Sequence, residues 1–86
     1  MDIYPGRVVK ATAGRDKDKY FVVVAVEDDN FCYIADGKTR KLDMPKLKKI
    51  KHLRVTELSL DVIREKLEKG QKVSNSALRK ELSILS

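Results

Sequence analysis

The sequence predicts a mainly β domain: a small barrel of about five strands followed by one or two short α-helices. Two observations carry this prediction. Short apolar runs rich in valine and aromatic residues recur along the first part of the chain, separated by glycine, asparagine and charged residues. After residue 56 the apolar spacing changes from that of strands to that of helices. At 86 residues the chain is one small domain, for which we expect a barrel over residues 1–56 and a helical extension over 57–86 packed on it.

The first two predicted strands enclose a polar loop, residues 14–19, called the motif loop below. Residues 20–26 read YFVVVAV, and a run without polar residues predicts a central strand buried on both faces. Gly14 ends the preceding strand at a position where a residue without a Cβ can adopt positive φ. The basic side chains expected to project from the loop are Arg15, Lys17 and Lys19.

Turn residues set the limits of the other strands. Residues 27–30 predict a hairpin turn in which Asn30 takes positive φ, and Asp36-Gly37 predicts a two-residue hairpin turn. The strand that follows Gly37 is short and charged, which is typical of an edge strand. The five predicted strands are residues 8–13, 20–26, 31–35, 38–42 and 49–55.

The C-terminal part predicts two amphipathic helices. Leu60, Ile63 and Leu67 form an apolar stripe on a helix over residues 60–69, with Ser59 as its N-cap and Gly70 as its C′ residue. Ser74 or Ser76 caps a second short helix that carries Leu78, Leu82 and Leu85. Helices this short need a surface to pack on, and we expect that surface to lie within the chain rather than on a partner.

The positive charge is concentrated in one segment. The chain carries a net charge of +6. Residues 38–54, called the basic segment below, contain eight basic residues and a single acidic one, Asp43. Phosphates bind such a segment with release of counterions, so the composition fits a nucleic-acid partner, but it fits a solvated lysine-rich face equally well.

The strand, glycine, basic loop and strand of residues 6–26, GRVVKATAGRDKDKYFVVVAV, resemble the KOW motif. With DDNFCYIAD and KIKHLRVT, they are similar to the KOW-bearing, archaeal and eukaryotic type of large-subunit ribosomal protein fourteen. The resemblance implies an SH3-like barrel that binds RNA through its loops. On it, Gly14, Arg15 and Lys17 match the motif loop, and Lys51-His52-Leu53 match a phrase near the end of the barrel. Asp18 stands where the family commonly has glycine.

These observations predict an RNA-binding protein, with ribosomal RNA and the ribosome as the expected partners and a cytoplasmic, ribosome-associated location. Tyr20 and Tyr33 are candidates for base stacking, with barrel core as the alternative. The residues expected to contact RNA are Gly14, Arg15, Lys17, Lys19, Lys38, Arg40, Lys41, Lys46, Lys48, Lys49, Lys51 and His52.

A protein-interaction module that uses the helical tail is the alternative hypothesis. An enzyme is not expected, because His52 is the only histidine and no residues show metal-ligand or nucleophile–base spacing. No cofactor, small-molecule substrate or membrane partner is expected either. A single cysteine, Cys32, cannot form an internal disulfide, and its place in an apolar strand predicts a small core residue in an intracellular protein.

Overall fold

The computed structural model describes residues 2–85, so the ends of the two predicted regions, Met1 and Ser86, lie outside it. The prediction of a mainly β fold with five strands and two helices is confirmed. The elements in chain order are β1 (Arg7–Ala11), β2 (Tyr20–Val26), β3 (Phe31–Ala35), β4 (Lys46–Lys49), a 3₁₀ turn (Ile50–His52), β5 (Leu53–Ser59), α1 (Asp61–Glu68) and α2 (Asn75–Ser83).

The five strands form one antiparallel sheet in the order β4-β3-β2-β1-β5. Its two edge strands, β4 and β5, are consecutive in the chain and are joined only by the 3₁₀ turn. The sheet must therefore curl until its edges approach each other, which makes it barrel-like. The turn is fastened to both sides of the sheet, since the Ile50 N–H donates to the Asn30 carbonyl (2.8 Å) and the His52 carbonyl accepts from the Thr12 N–H (2.9 Å).

Side chains on the two faces of the sheet form two separate apolar clusters. The inner cluster consists of Val9, Ala11, Phe21, Val23, Cys32, Ile34 and Leu53. The outer cluster joins Val8, Val22 and Ala35 of the sheet to Ile63 of α1 and to Leu78 and Leu82 of α2. The two helices therefore cover part of the outer face of the sheet.

The predicted burial of β2 on both faces is confirmed for its first half. Phe21, Val22 and Val23 are fully buried, but Ala25 and Val26 are exposed. The register with β3 shifts between Val23 and Ala25, and the outer cluster contains no β2 residue beyond Val24 among residues 2–85. The uniformly apolar sequence of β2 does not show that the outer cluster ends at Val24 and leaves the rest of the strand exposed.

The C-terminal helices follow most of the predicted capping pattern. The α1 helix ends at Glu68, and Gly70 follows its C-cap residue with a positive φ and donates its N–H to the Leu67 carbonyl. Ser74 caps α2 by accepting from the Ala77 N–H at 3.0 Å. The prediction that Ser59 caps α1 is wrong. Ser59 is the last residue of β5, and Leu60 occupies the N-cap position without a side-chain hydrogen bond.

The predicted hairpin at Asp36-Gly37 and the predicted strand over residues 38–42 are wrong. Asp36 Oδ1 accepts from the N–H groups of Lys38 (2.9 Å) and Arg40 (2.8 Å), which folds residues 36–40 into a closed turn. An aspartate that binds nearby backbone N–H groups competes with strand pairing. The fourth strand is instead β4, Lys46–Lys49.

Two smaller predictions are also corrected. The last strand begins at Leu53 and runs to Ser59, because residues 50–52 form the 3₁₀ turn. Asn30 does not adopt positive φ; within residues 2–85, Asp18 is the one non-glycine residue that does. The turn at residues 27–30 is held by Asp28 Oδ1, which accepts from the N–H groups of Asn30 and Phe31.

Neither helix in the described part of the chain is long and apolar enough to cross a bilayer.

Candidate nucleic-acid interface

Two overlapping turns shape the motif loop. The Lys17 N–H donates to the Gly14 carbonyl at 3.2 Å, and the Lys19 N–H donates to the Asp16 carbonyl at 3.0 Å. The loop is therefore ordered by its own backbone, and it closes the hairpin of β1 and β2. A loop whose backbone is already ordered pays a lower entropic cost when a ligand binds to it.

Two positions in this loop have left-handed backbone. Gly14 has a φ of +79°, as predicted, and Asp18 has a φ of +71°. Asp18 is the residue at which the resemblance to the KOW motif predicts glycine, and aspartate is one of the few side chains that tolerate this conformation. Arg15 and Lys17, which flank the buried Asp16, are exposed to solvent.

An ion pair attaches the motif loop to β4. Asp16 is only 6% exposed, and its Oδ2 lies 3.2 Å from Lys46 Nζ. An acidic residue at this position would be expected to reduce the positive charge of the loop. In the structure its carboxylate points inward and binds a lysine of the basic segment, so Arg15 and Lys17 keep the outward face of the loop.

A second contact brings β4 to the start of the loop. A Cβ placed on Gly14 would lie 3.7 Å from Lys48 Nζ, so the Lys48 ammonium lies beside the Gly14 backbone. Lys46 and Lys48 are paired with Ile34 and Cys32 across the sheet and therefore share one face of β4. The motif loop and the basic segment converge at these two lysines.

Two other residues that were expected to contact RNA lie around a separate groove. Lys19 and Lys38 line a groove of about 430 Å³ together with Arg79 of α2. Asp18 and Asp36 line the same groove, so its charge is mixed. Arg79 donates from Nη1 to the Gly37 carbonyl at 2.6 Å, which ties α2 to the turn after β3.

Lys49 and Lys51 lie elsewhere. They line a groove of about 520 Å³ with Asp29, Asn30 and Phe31, between the turn at residues 27–30 and the 3₁₀ turn. Because successive side chains of a strand point to opposite faces, Lys49 does not share the face on which Lys48 meets Gly14. The basic segment is thus divided between two surfaces.

The remaining predicted residues are less exposed or lie in the connection before β4. Arg40 is half-buried, and its N–H is bound by Asp36, whereas Lys41 is exposed in the connection to β4. His52 is half-buried in the 3₁₀ turn rather than in a strand.

The two tyrosines that the sequence suggested for stacking differ in their surroundings. Tyr20 packs against the outer cluster, and Lys10 Nζ lies 5.4 Å from the centroid of its ring. Tyr33 is half-buried, and its pKa is raised because its hydroxyl is hydrogen-bonded to the Glu27 carboxylate, whose charge acts in the same direction. Tyr20 therefore has a packing role, but in the outer cluster rather than in the core of the barrel.

Sequence reasoning missed two features of these surfaces. It did not assign Asp16 as the anchor of the motif loop, and it gave Arg79 no part in the groove that Lys19 and Lys38 line. The first depends on a contact between residues 16 and 46, which no local pattern shows. The second follows from the packing of α2 beside Gly37, where Asn75 lies so close that a side chain at Gly37 would collide with its backbone.

Cys32 is fully buried, as predicted, and burial raises the pKa of its thiol to about 11. Across residues 2–85, no three or more His, Cys, Asp and Glu side chains cluster in a way that could hold a metal ion. No protein-family model and no curated protein matches this chain.

Proposed function

We propose that this protein binds RNA, with ribosomal RNA as the expected target, through the surface formed by the motif loop and β4. The observation that carries the proposal is the convergence of Lys48 on Gly14, which sets a lysine of the basic segment beside the exposed Arg15 and Lys17. The resemblance of residues 6–26 to the KOW motif supports the same surface. A cytoplasmic, ribosome-associated location belongs to this proposal.

Arg15, Lys17 and Lys48 supply the phosphate contacts. Arginine can bind two phosphate oxygens through its guanidinium, and the lysines act as point charges. Contacts of this kind position RNA without reading its sequence, so the surface accounts for affinity and orientation rather than for base specificity.

Lys46 has a supporting role in this account. Its ammonium is bound to the nearly buried Asp16 carboxylate, so it holds the motif loop against β4 rather than meeting a phosphate. Lys46 thus stabilises the loop, whereas Lys48 binds the RNA.

The protein-interaction hypothesis gains no specific support from the helical tail. Leu78 and Leu82, which form the predicted apolar stripe of α2, are buried against the sheet. The exposed apolar residues of the helical tail include Val62 and Ile84, which are single side chains of the kind common on protein surfaces.

Binding of labelled ribosomal RNA fragments at several salt concentrations tests the proposal. The variants are the double substitution Arg15→Ala with Lys17→Ala and the single substitution Lys48→Ala. Each lost phosphate contact should reduce affinity and lower the salt slope, the dependence of log K on log salt, by about 0.7–0.9. The loss should be similar for RNAs of different sequence, since phosphates carry no sequence information.

The matched control is the double substitution Lys66→Ala with Lys72→Ala. These two lysines are exposed, one in α1 and the other in the linker after it. Replacing both removes the same amount of positive charge as the double substitution in the loop. The control should bind with the wild-type slope. Wild-type affinity and slope in both loop and β4 variants, once each is shown to be folded, would rule out this surface.

A further inference from the structure

One groove of the molecule combines an aromatic ring with lysines and is not used by the surface proposed above. It is the groove of about 520 Å³ lined by Phe31, Lys49 and Lys51, with Asp29 and Asn30 on its other side. Its volume falls within the range typical of sites for small organic groups.

Phe31 points away from the inner core. In β3, Cys32 and Ile34 belong to the inner cluster, so the alternating Phe31 and Tyr33 lie on the outer face. The helices cover that face only at its Ala35 end. Among the described residues, neither apolar cluster includes Phe31, which remains partly exposed.

The lysines are placed beside this ring by the sheet and by the 3₁₀ turn. Lys49 is the direct cross-strand partner of Phe31, so the two side chains are neighbours on the same face. Lys51 follows in the 3₁₀ turn and is exposed. The Ile50 N–H between them donates to the Asn30 carbonyl at 2.8 Å, which fixes one wall of the groove to the other.

We propose that Phe31 is a stacking platform for one base of single-stranded RNA, whose adjoining phosphates lie along Lys49 and Lys51. An aromatic ring flanked by cations suits a nucleotide, because the base is apolar on its faces and the backbone is anionic. The Asp29 carboxylate on the opposite wall repels phosphates, so the backbone runs on the lysine side and the base enters the groove. This inference rests on the proposed function and adds to it a second contact region that distinguishes single strands from duplexes.

Two variants separate stacking from charge. Phe31→Leu keeps an apolar residue in β3 but removes the aromatic ring, and Phe31→Trp restores a ring. Phe31→Leu should weaken binding of a short single-stranded RNA about tenfold, the lower range for loss of one stacked base, with an unchanged salt slope. Phe31→Trp should bind at least as well as wild type, and binding of a duplex of the same sequence should be the same for all three proteins.

The control variant is Val62→Ala, which removes an exposed apolar side chain from α1 and should leave binding unchanged. A single-stranded RNA carrying 5-iodouridine provides a test on the unaltered protein. Irradiation should attach the RNA to the peptide that contains Phe31.

The outcomes distinguish this inference from the function on which it rests. If wild type binds RNA with a steep salt slope, but Phe31→Leu binds single strands equally well or crosslinks avoid Phe31, the stacking site is wrong and the phosphate surface stands. If wild type binds no RNA, the proposed function fails and the stacking site fails with it.

Discussion

Asp16 Oδ2 lies 3.2 Å from Lys46 Nζ, with the aspartate side chain 8% exposed and the lysine side chain 31% exposed. An acidic residue in the middle of a basic loop thus fastens that loop to the edge strand of the sheet. The pair explains how a loop with alternating charges can present mainly its basic side chains. The Asp16 carboxylate points inward to Lys46, and the side chains of Arg15 and Lys17 on either side of it are exposed.

The two partners of this pair should contribute unequally to stability. Lys46→Met leaves a nearly buried carboxylate without its cation and should cost about 1–3 kcal/mol, whereas Asp16→Asn leaves a more exposed lysine and should cost less. Urea unfolding of both single variants and the double variant measures the coupling. The exposed pair Lys69–Glu65 is the control and should show coupling below about 0.5 kcal/mol. Equal costs at Asp16 and Lys46 would contradict the anchoring role.

Asp18 should weaken RNA binding in the native protein. It is exposed in the motif loop, and its φ of +71° is one that asparagine and glycine also adopt. Asp18→Asn removes the charge while keeping the shape, so RNA affinity should rise and the salt slope should steepen. Glu81→Gln, an equal charge change on α2, should leave both unchanged. A rise of the same size in both variants would show that total charge, rather than the motif loop, controls binding.

Leu78 should be essential to the stability of the whole domain. It is fully buried between α2 and the sheet, so Leu78→Ala should cost about 2–5 kcal/mol through lost burial and the cavity left behind. Ile84→Ala in the same tail, where the side chain is 78% exposed, should change stability by less than about 0.5 kcal/mol. Thermal unfolding of both variants measures the contrast. A small loss in Leu78→Ala would mean that the helical tail contributes little to the fold.

Asp36 should give the protein an acid-sensitive turn. Burial acts to raise the pKa of Asp36, but hydrogen bonds from the N–H groups of Arg40 and Lys38 and from the Thr39 hydroxyl outweigh it, and the pKa is lowered. A lowered pKa in the folded state stabilises the protein above the ordinary aspartate pKa, and this stabilisation is lost as the pH falls through the folded value.

Asp36→Asn should therefore be less stable than wild type at neutral pH, by about 1 kcal/mol, because its amide oxygen is a weaker acceptor. The difference should begin to shrink as the pH falls below the ordinary aspartate pKa of about 4, where the unfolded chain takes up its proton, and should shrink further as the pH falls through the lowered pKa of the folded state. Urea unfolding from neutral to acid pH measures it. Asp43→Asn, an exposed site in the connection to β4, is the control. A difference that is constant with pH would contradict the role of the ionised carboxylate.

The elements that sequence predicted well are those in which local pattern and tertiary burial agree. The limits of β2 and β3 were predicted correctly, because each is a run of β-branched and aromatic residues between turn residues. Phe21 and Val23, within the strand predicted to be buried, lie in the inner cluster with Ile34 and Leu53. These positions are set by hydrophobic pattern alone.

The errors arise where a side chain or a distant contact overrides that pattern. Asp36 captures backbone N–H groups that a hairpin would have paired, which removes the predicted strand over residues 38–42. The true fourth strand reads KLKK, and no apolar alternation identifies it, because Lys46 and Lys48 occupy its inward face beside the motif loop.

For the candidate site, the sequence supplied the motif loop and the basic segment but not their division between two surfaces. That division depends on which face of β4 each lysine occupies, and β4 itself was misplaced. Phe31 was overlooked for a simpler reason. The whole run of residues 31–35 is apolar, so composition does not separate its two faces. Strand alternation does separate them: if Cys32 and Ile34 point into the core, Phe31 points to the opposite face.

The most direct test of the central claim is an NMR titration of the isotope-labelled protein with a short single-stranded RNA, followed through the backbone amide signals. We expect the largest shifts in the motif loop and in β4, with further shifts at Phe31 and the 3₁₀ turn, and we expect all of them to diminish as salt is added. Shifts confined to α1 and α2, or no shifts in residues 14–19 and 46–49 at low salt, would contradict it.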